Sequence, residues 1–396
     1  MNRMKGKAIV TAVLVMLSAP AVLGETATVG GVTYDFTSPA TATVVLGDDF
    51  YAGTLTIPEQ VNGHTVTALS AGAFNGCHSL KAVNLPPTLT TIGDYAFNGC
   101  DSLTSIIIPG QVSTIGNHAF ALCKKLTTLA LPDAVTAIGD YAFFGCSSLT
   151  QIDLGEGVAS VGYRAFHGCQ MLQSIVVAEG NTHLKSAGGV LYTADGATLL
   201  AGPRRQSSRR DVTVPSTVRH IAPYACHTLS LTRTLTLPEG LLTVGERAFA
   251  GSTLIKEVTL PASLTALGVD AFDGCTALTR VTCEAVAPLP LNGYFSPFGF
   301  FTDLGRFTLI VPRGASAAYR AASVWRDFGT IIEVGTAGVG DVNGDGEVSL
   351  ADVTALVALV LDEPMPPDYS GRADVNGDGE TSVADVTKLT TLIMQQ

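Results

Sequence analysis

A phenylalanine returns on a fixed step: Phe74, Phe97, Phe120, Phe143 and Phe166 are each 23 residues apart, and Cys226, Phe249 and Phe272 resume the same step. Residues 80–102, 103–125 and 126–148 write the unit three times over, with the skeleton L-x-x-I-x-L-P-x-x-V-x-x-I-G-x-x-A-F-x-x-C. One unit cannot bury its apolar residues alone. Stacked units share a continuous core, so the clock predicts a solenoid and not an ordinary globular domain. Within the unit, Val83 and Leu85 alternate with an outward Asn84, as a strand requires. Pro86 ends the strand because it offers no ladder N–H. Ile92 and Gly93 make the next corner, and Ala96-Phe97 sends a ring back inside. About ten coils are expected between residues 54 and 334.

The clock breaks once. Phe166 and Cys226 are 60 residues apart, which is no multiple of 23. Inside the gap, GGVLYTADGATLL (188–200) places two apolar runs around Asp195-Gly196, a dipeptide suited to a tight hairpin. Arg204, Arg205, Arg209 and Arg210 follow. They read as a solvated loop or proteolytic site, with a docking point for an acidic partner as the alternative. Residues 307–334 form the closing cap in this reading: a strand ending at Pro312, then a helix carrying Tyr319 and the only tryptophan, Trp325. Residues 25–53 form the opposite cap, from strands around Val32–Phe36 and Ala42–Leu46.

Residues 1–24 read as a secretory signal peptide. Arg3, Lys5 and Lys7 precede an apolar run from Ala8 to Leu17, Pro20 breaks it, and Val22 and Gly24 are small enough for the cleavage site. The run is too short to span about 30 Å of hydrocarbon comfortably. The expected product is secreted or held at the cell surface, with no transmembrane segment left after cleavage. The eight cysteines of such a chain invite a disulfide reading. Their spacing opposes it. Cys77, Cys100, Cys123, Cys146 and Cys169 occupy one position in successive units, so a buried ladder of thiols is expected, with rung-to-rung bridges as the alternative.

Charge separates the two ends. The chain carries −11, yet residues 341–396 alone hold eleven acidic and two basic side chains, a net of −9. An acidic chain without a basic stripe excludes a nucleic-acid binder. In the tail, DVNGDGEVSLAD (341–352) and DVNGDGETSVAD (374–385) each have the oxygen spacing of an EF-hand loop. Asp341, Asn343 and Asp345 supply side-chain oxygens, Glu347 a backbone carbonyl, Ser349 a ligand through water, and Asp352 closes the site. The same roles fall to Asp374, Asn376, Asp378, Glu380, Ser382 and Asp385, so two calcium ions are expected. A micromolar site in millimolar calcium would add about 4 kcal/mol of stability. The tail is therefore expected to fold poorly without the ion.

Period, Ala-Phe pair and cysteine together resemble the BspA-like, or treponemal-type, leucine-rich repeats of bacterial surface proteins, over nearly all of residues 54–334. That resemblance implies a repeat solenoid with a parallel β-sheet on one face and mixed β, turn and short helix elsewhere. Several such proteins are adhesins, and no catalytic residue comes with the family. The tail resembles a type I dockerin: two calcium loops, each entering an apolar helix, each closed by aspartate, neither preceded by an entering helix. This implies a small all-α calcium-binding domain over 341–396, joined by a linker at 335–340, that binds a cohesin-like partner. In that family the contacts centre on the tenth and eleventh loop residues. Here these are Leu350 and Ala351, and Val383 and Ala384, where clostridial examples carry Ser-Thr. The apolar pairs suit a hydrophobic contact or helix packing within the tail.

Dockerins often follow a hydrolase, and a hydrolase would carry a recognisable catalytic constellation. The seven histidines are dispersed, and no G-x-S-x-G, H-E-x-x-H or paired-carboxylate constellation stands apart from the repeat. The outward strand residues, from Ala82/Asn84 to Arg280/Thr282, form a small, mostly polar face that suits a protein ligand or mere solvation. The sequence thus describes an exported, non-catalytic binding or adhesion protein. A structural or targeting component of a cohesin-based, polysaccharide-degrading assembly is the alternative.

Overall fold

The computed structural model describes residues 25–36, 38–47, 51–203, 211–229, 232–291, 296–299, 302–334, 340–343, 348–361, 373–376, 378 and 380–394. The expected signal peptide, the arginine run at 204–210 and most of the expected linker lie outside the described residues, as do Asp345 and Glu347.

Successive units lie one above another in the register that the 23-residue step dictates. Thr114 pairs with Thr91 and with Ala137, and Leu129 with Ile152, always in parallel. One ribbon of the coil runs from Ala52–Thr56 through Ser105–Ile106, then from Thr128–Ala130 to Ser174–Val177, then from Asp211–Thr213 to Thr330–Glu333. This ribbon has twelve strands among the described residues, more than the ten coils expected, because the closing cap adds two more strands that do not follow the repeat's spacing. A second ribbon is made of two-residue strands such as Thr91–Ile92 and Ala137–Ile138.

Leu80 and Val83 are both buried, while Leu85 is only partly covered. The ideal two-residue alternation assigned the inward places to Val83 and Leu85. An extra residue, Lys81, opposite the Gly53–Thr54 step of the adjacent strand lets both Leu80 and Val83 turn inward. The phenylalanines form the interior column. Phe74, Phe97, Phe120, Phe143 and Phe166 stack with centroids 5.2 to 5.8 Å apart. Offset parallel rings at this spacing add to plain burial.

Within an unbroken run of coils, corners are tied to the next coil by their backbone. Tyr95 N donates to Asn117 O (2.8 Å), Phe97 N to Ala119 O (2.7 Å) and Gly99 N to Ala121 O (2.8 Å). The residue before the Ala-Phe pair adopts positive φ in coil after coil: Tyr95 58°, His118 53°, Tyr141 56°, Arg164 54° and Tyr224 59°. That backbone disfavours ordinary side chains. Stacking compensates for it, since His118 lies between Tyr95 (4.6 Å) and Tyr141 (4.7 Å) with nearly parallel rings.

All eight cysteines are buried free thiols. The ladder reaches one coil back: Cys123 Sγ donates to Phe97 O (3.2 Å), Cys146 Sγ to Phe120 O (3.1 Å) and Cys169 Sγ to Phe143 O (3.2 Å). Burial pushes the thiols of Cys146, Cys226 and Cys275 up to about 12, so the reactive thiolate is scarce. In the native chain a thiol reagent such as Ellman's is expected to label none of them on the time scale of free cysteine. Eight should react after unfolding in denaturant, and a native count of two or more fast thiols would contradict the ladder.

At the start of the solenoid, Thr26–Val29, Val32–Asp35 and Thr41–Val45 form an antiparallel meander, which then pairs in parallel with His64–Leu69. At its end, α1 (Ser316–Ala321) carries Tyr319. Trp325 does not share that helix as expected; it begins a separate 3-10 turn, Trp325–Asp327. Both rings are buried and polar-anchored, Tyr319 OH donating to Ala285 O (2.8 Å) and Trp325 Nε1 to Leu289 O (2.8 Å).

Near this end, burial first and then the adjoining Glu239 push the Glu284 carboxyl up to about 7. The folded chain therefore holds that proton more tightly than the unfolded chain. This contribution to stability is full below about pH 4.5 and is lost as pH rises through about 7. The unfolding temperature of the full chain should fall between pH 5 and pH 8, and Glu284→Gln should flatten that part of the profile. An unchanged profile in the variant would remove Glu284 as the cause.

In the tail, α2 (Leu350–Val360) and α3 (Val383–Ile393) pack around Val342, Leu356, Val375 and Leu389. This core is separate from those of the solenoid.

Candidate docking surfaces

Both tail helices begin the same way, because both loops end in Ser-x-x-Asp. Ser349 Oγ accepts from Ala351 N (3.2 Å), and Asp352 Oδ2 accepts from Ser349 N (2.8 Å), closing a capping box. Ser382 and Asp385 repeat the arrangement with the same distances. Both aspartates are fully buried.

They also reach back across their loops. Asp352 Oδ1 accepts from Asn343 N (3.0 Å), and Asp385 Oδ1 accepts from Val375 N (2.8 Å) and Asn376 N (3.0 Å). The closing aspartate is thus a staple between loop and helix as well as the expected last ligand. The remaining oxygens of the second loop are drawn together: Asp378 N donates to Asp374 Oδ1 (3.0 Å) and to Asn376 Oδ1 (2.8 Å), and Glu380 N donates to Asp378 Oδ1 (2.9 Å). The donors are hard oxygens with no sulfur or imidazole among them, a set that fits calcium. Among the described residues no three His, Cys, Asp or Glu side chains converge to metal-binding distance.

The four residues expected at a partner contact all lie exposed on the first turns of these helices. Leu350 is 72% exposed and Val383 67%, with Ala351 and Ala384 beside them. Helix packing within the tail therefore does not use them. Val357, Leu361 and Met394 add further exposed apolar surface.

On the solenoid, the outward strand residues are where the repeat put them. Asn84, Thr128, Ala130, Thr234, Thr236, Glu257 and Thr259 are exposed, and Ile107 is 85% exposed. Taken only as dispersed residues, the seven histidines do not reveal the stacked column that includes Tyr95, His118 and Tyr141. Its signal was present, since these residues share the 23-residue step.

Stacked parallel coils, an interior ladder of leucine, phenylalanine and cysteine, and a tail of two capped loop–helix units define a leucine-rich repeat solenoid with a dockerin-type module. The chain belongs to the family described as BspA type leucine rich repeat region, whose sequence profile matches residues 51–187 and 205–287 in six copies. The profile of the dockerin type I domain matches residues 339–394. No curated protein sequence matches the chain. Among solved structures, it is similar to a leucine-rich repeat protein from Eubacterium ventriosum, with 20% identity and a TM-score of 0.50 over 76% of this chain and 91% of that one. It is also similar to the pneumococcal vaccine antigen PcpA, with 19% identity and a TM-score of 0.51 over 80% of this chain and all of the other. At such identities the likeness speaks to fold. The two families are generally non-catalytic interaction modules, and a dockerin-type tail implies a cohesin-type protein partner. Proteins with these modules are typically extracellular or surface-bound. Among the described residues no helix is long and apolar enough to cross a membrane.

Proposed function

We propose that this is an exported, non-catalytic protein that presents a repeat surface, residues 54–334, to a protein ligand and docks through a calcium-organised tail, residues 341–396. The observation that carries the reading is the duplicated loop–helix unit, which turns Leu350-Ala351 and Val383-Ala384 outward from fixed helix starts. Apolar side chains held rigidly in the open suit a protein contact, because little ordering entropy remains to be lost.

Asp341, Asn343, Asp345, Glu347, Ser349 and Asp352 would hold one ion, and Asp374, Asn376, Asp378, Glu380, Ser382 and Asp385 the other. Calcium supplies charge neutralisation, allowing the loop carboxylates to sit together without mutual repulsion. The chain's own part is to aim the oxygens through loop amides and to fasten each loop to its helix through Asp352 or Asp385. The exposed solenoid face, small and poor in aromatic rings, favours a protein ligand over a stacked sugar chain.

Isothermal titration of the full chain tests the tail directly. The expected stoichiometry is two calcium ions, falling to one in Asp341→Ala and one in Asp374→Ala. No calcium uptake by the folded wild-type chain would refute this assignment.

A further inference from the structure

The solenoid contains one discontinuity, and it creates a cleft. The interior column runs through Phe166, which is only partly covered, and meets Cys226 where the next phenylalanine would stand. Backbone bonds tie the corner at Tyr141, Phe143 and Gly145 to the coil of Tyr163, Ala165 and His167. Others tie Tyr224, Cys226 and Thr228 to the coil of Glu246, Ala248 and Ala250. Among the described residues no such bond joins Arg164, Phe166 or Gly168 to the corner at 222–228. The insert strand Thr198–Ala201 fills the gap in the second ribbon, pairing with His220–Ile221, but it brings no corner of its own. What remains between the two corners is a cavity of about 180 Å³, reached by Tyr163, Arg164, His167, Gly202, Tyr224 and His227.

From the insert, Gly202 N donates to Ala225 O (2.6 Å), while side chains bridge the two corners. The Arg164 guanidinium lies 3.8 Å from the centre of the Tyr224 ring, and His167 packs against His227 at 4.5 Å. Tyr163 meets Tyr224 edge to face at 5.5 Å. Arg164 donates one hydrogen bond, to Tyr141 OH (3.3 Å). Its Nε is buried and has no acceptor, and no carboxylate among the described residues forms an ion pair with it. The carboxylate that Tyr224 OH meets, Glu246, accepts that hydroxyl at 3.0 Å. A half-buried guanidinium resting on an aromatic ring, with no carboxylate partner among the described residues, is a donor suited to a carboxylate.

We propose that this cleft binds the acidic side chain of a protein partner. The inference rests on reading the repeat surface as protein-binding and names where and what it recognises. The volume is below the roughly 300 Å³ of an ordinary small-molecule pocket, and suits one side chain. Arginine and tyrosine at a pocket are the residues that anchor protein contacts. A uronic-acid polymer would offer the same carboxylate. Ring faces on which a sugar would stack are taken here, that of Tyr224 by Arg164, that of His167 by Phe144 and that of His227 by Tyr224.

Fluorescence anisotropy of a labelled hexaglutamate peptide against the full chain tests the site, with trigalacturonate as competitor. Wild type should bind saturably, and trigalacturonate should not compete. Arg164→Gln should weaken binding roughly tenfold or more, as loss of a charge-assisted contact does. Arg164→Lys, which keeps charge but not the fork, should be intermediate, and the exposed Arg233→Gln should leave binding unchanged. Thermal unfolding checks each variant. Should Arg164→Gln fold poorly, Tyr163→Ala, at an exposed wall residue, carries the test and should also weaken binding. No peptide binding, equal binding in Arg164→Gln and Tyr163→Ala, or displacement by trigalacturonate would each overturn the proposal. The broader reading would still stand if another part of the repeat surface captured a protein ligand equally well in wild type and Arg164→Gln.

Discussion

Replacing Gly139 with alanine is expected to destabilise the solenoid by about 3 kcal/mol, near the upper end for overpacking a well-filled site. A Cβ at Gly139 would meet Gly116 C at 2.5 Å and Asn117 N at 2.6 Å. These are backbone atoms of the preceding coil, and they cannot move without breaking the corner. The Ile-Gly corner is thus dictated by how closely coils approach, since the same clash recurs at Gly116, Gly162, Gly245 and Gly268. Gly110 is the control, because a Cβ there meets nothing within 4 Å. Denaturant midpoints should fall sharply for Gly139→Ala and hardly move for Gly110→Ala. Equal midpoints would mean that the coils are not packed backbone to backbone.

The second large effect belongs to Asp385. Its carboxylate is fully buried and accepts from the amides of Val375, Asn376 and Ser382. Alanine at this position leaves three amides without their acceptor. Hydrogen bonds to a charged group contribute about 1.5–3 kcal/mol each, so the net cost should be about 3 kcal/mol or more. The small tail core has little to set against that. Amide protection across residues 373–394 should collapse in Asp385→Ala while the solenoid remains protected, and Asp385→Asn should fall between. Full protection of the tail in the alanine variant would show that the staple is unnecessary.

Much of this architecture was legible because a repeat exposes its own geometry. A residue that returns every 23 positions must occupy one column, and so the phenylalanines, the thiols and the outward strand residues fell where the spacing placed them. The capping of α2 and α3 was implicit in Ser-x-x-Asp, although the spacing alone presented Asp352 and Asp385 as ligands and not as staples. Other features depend on contacts that a repeat cannot express. Leu80 turns inward through a bulge at Lys81, against the Gly53–Thr54 step of the adjacent strand. Trp325 leaves the helix of Tyr319 because Ala322 turns to extended backbone. The cleft arises from what is missing at one coil, a phenylalanine replaced by Cys226 and a corner replaced by a hairpin. A pattern search passes over such a place because it contains no pattern.

The central claim, that the solenoid is cargo on a calcium-organised docking tail, is tested most directly by affinity capture with the full chain from the source's own envelope and secreted fractions. Capture would be run in calcium, in chelator, and with Asp341→Ala combined with Asp374→Ala. The account predicts one defined cohesin-type partner, retained in calcium and lost in both other conditions. Substituting Leu350 and Val383 with aspartate should abolish capture while leaving calcium uptake intact. Retention of the same partner in chelator, or by the double aspartate variant, would contradict the account and move docking off the tail.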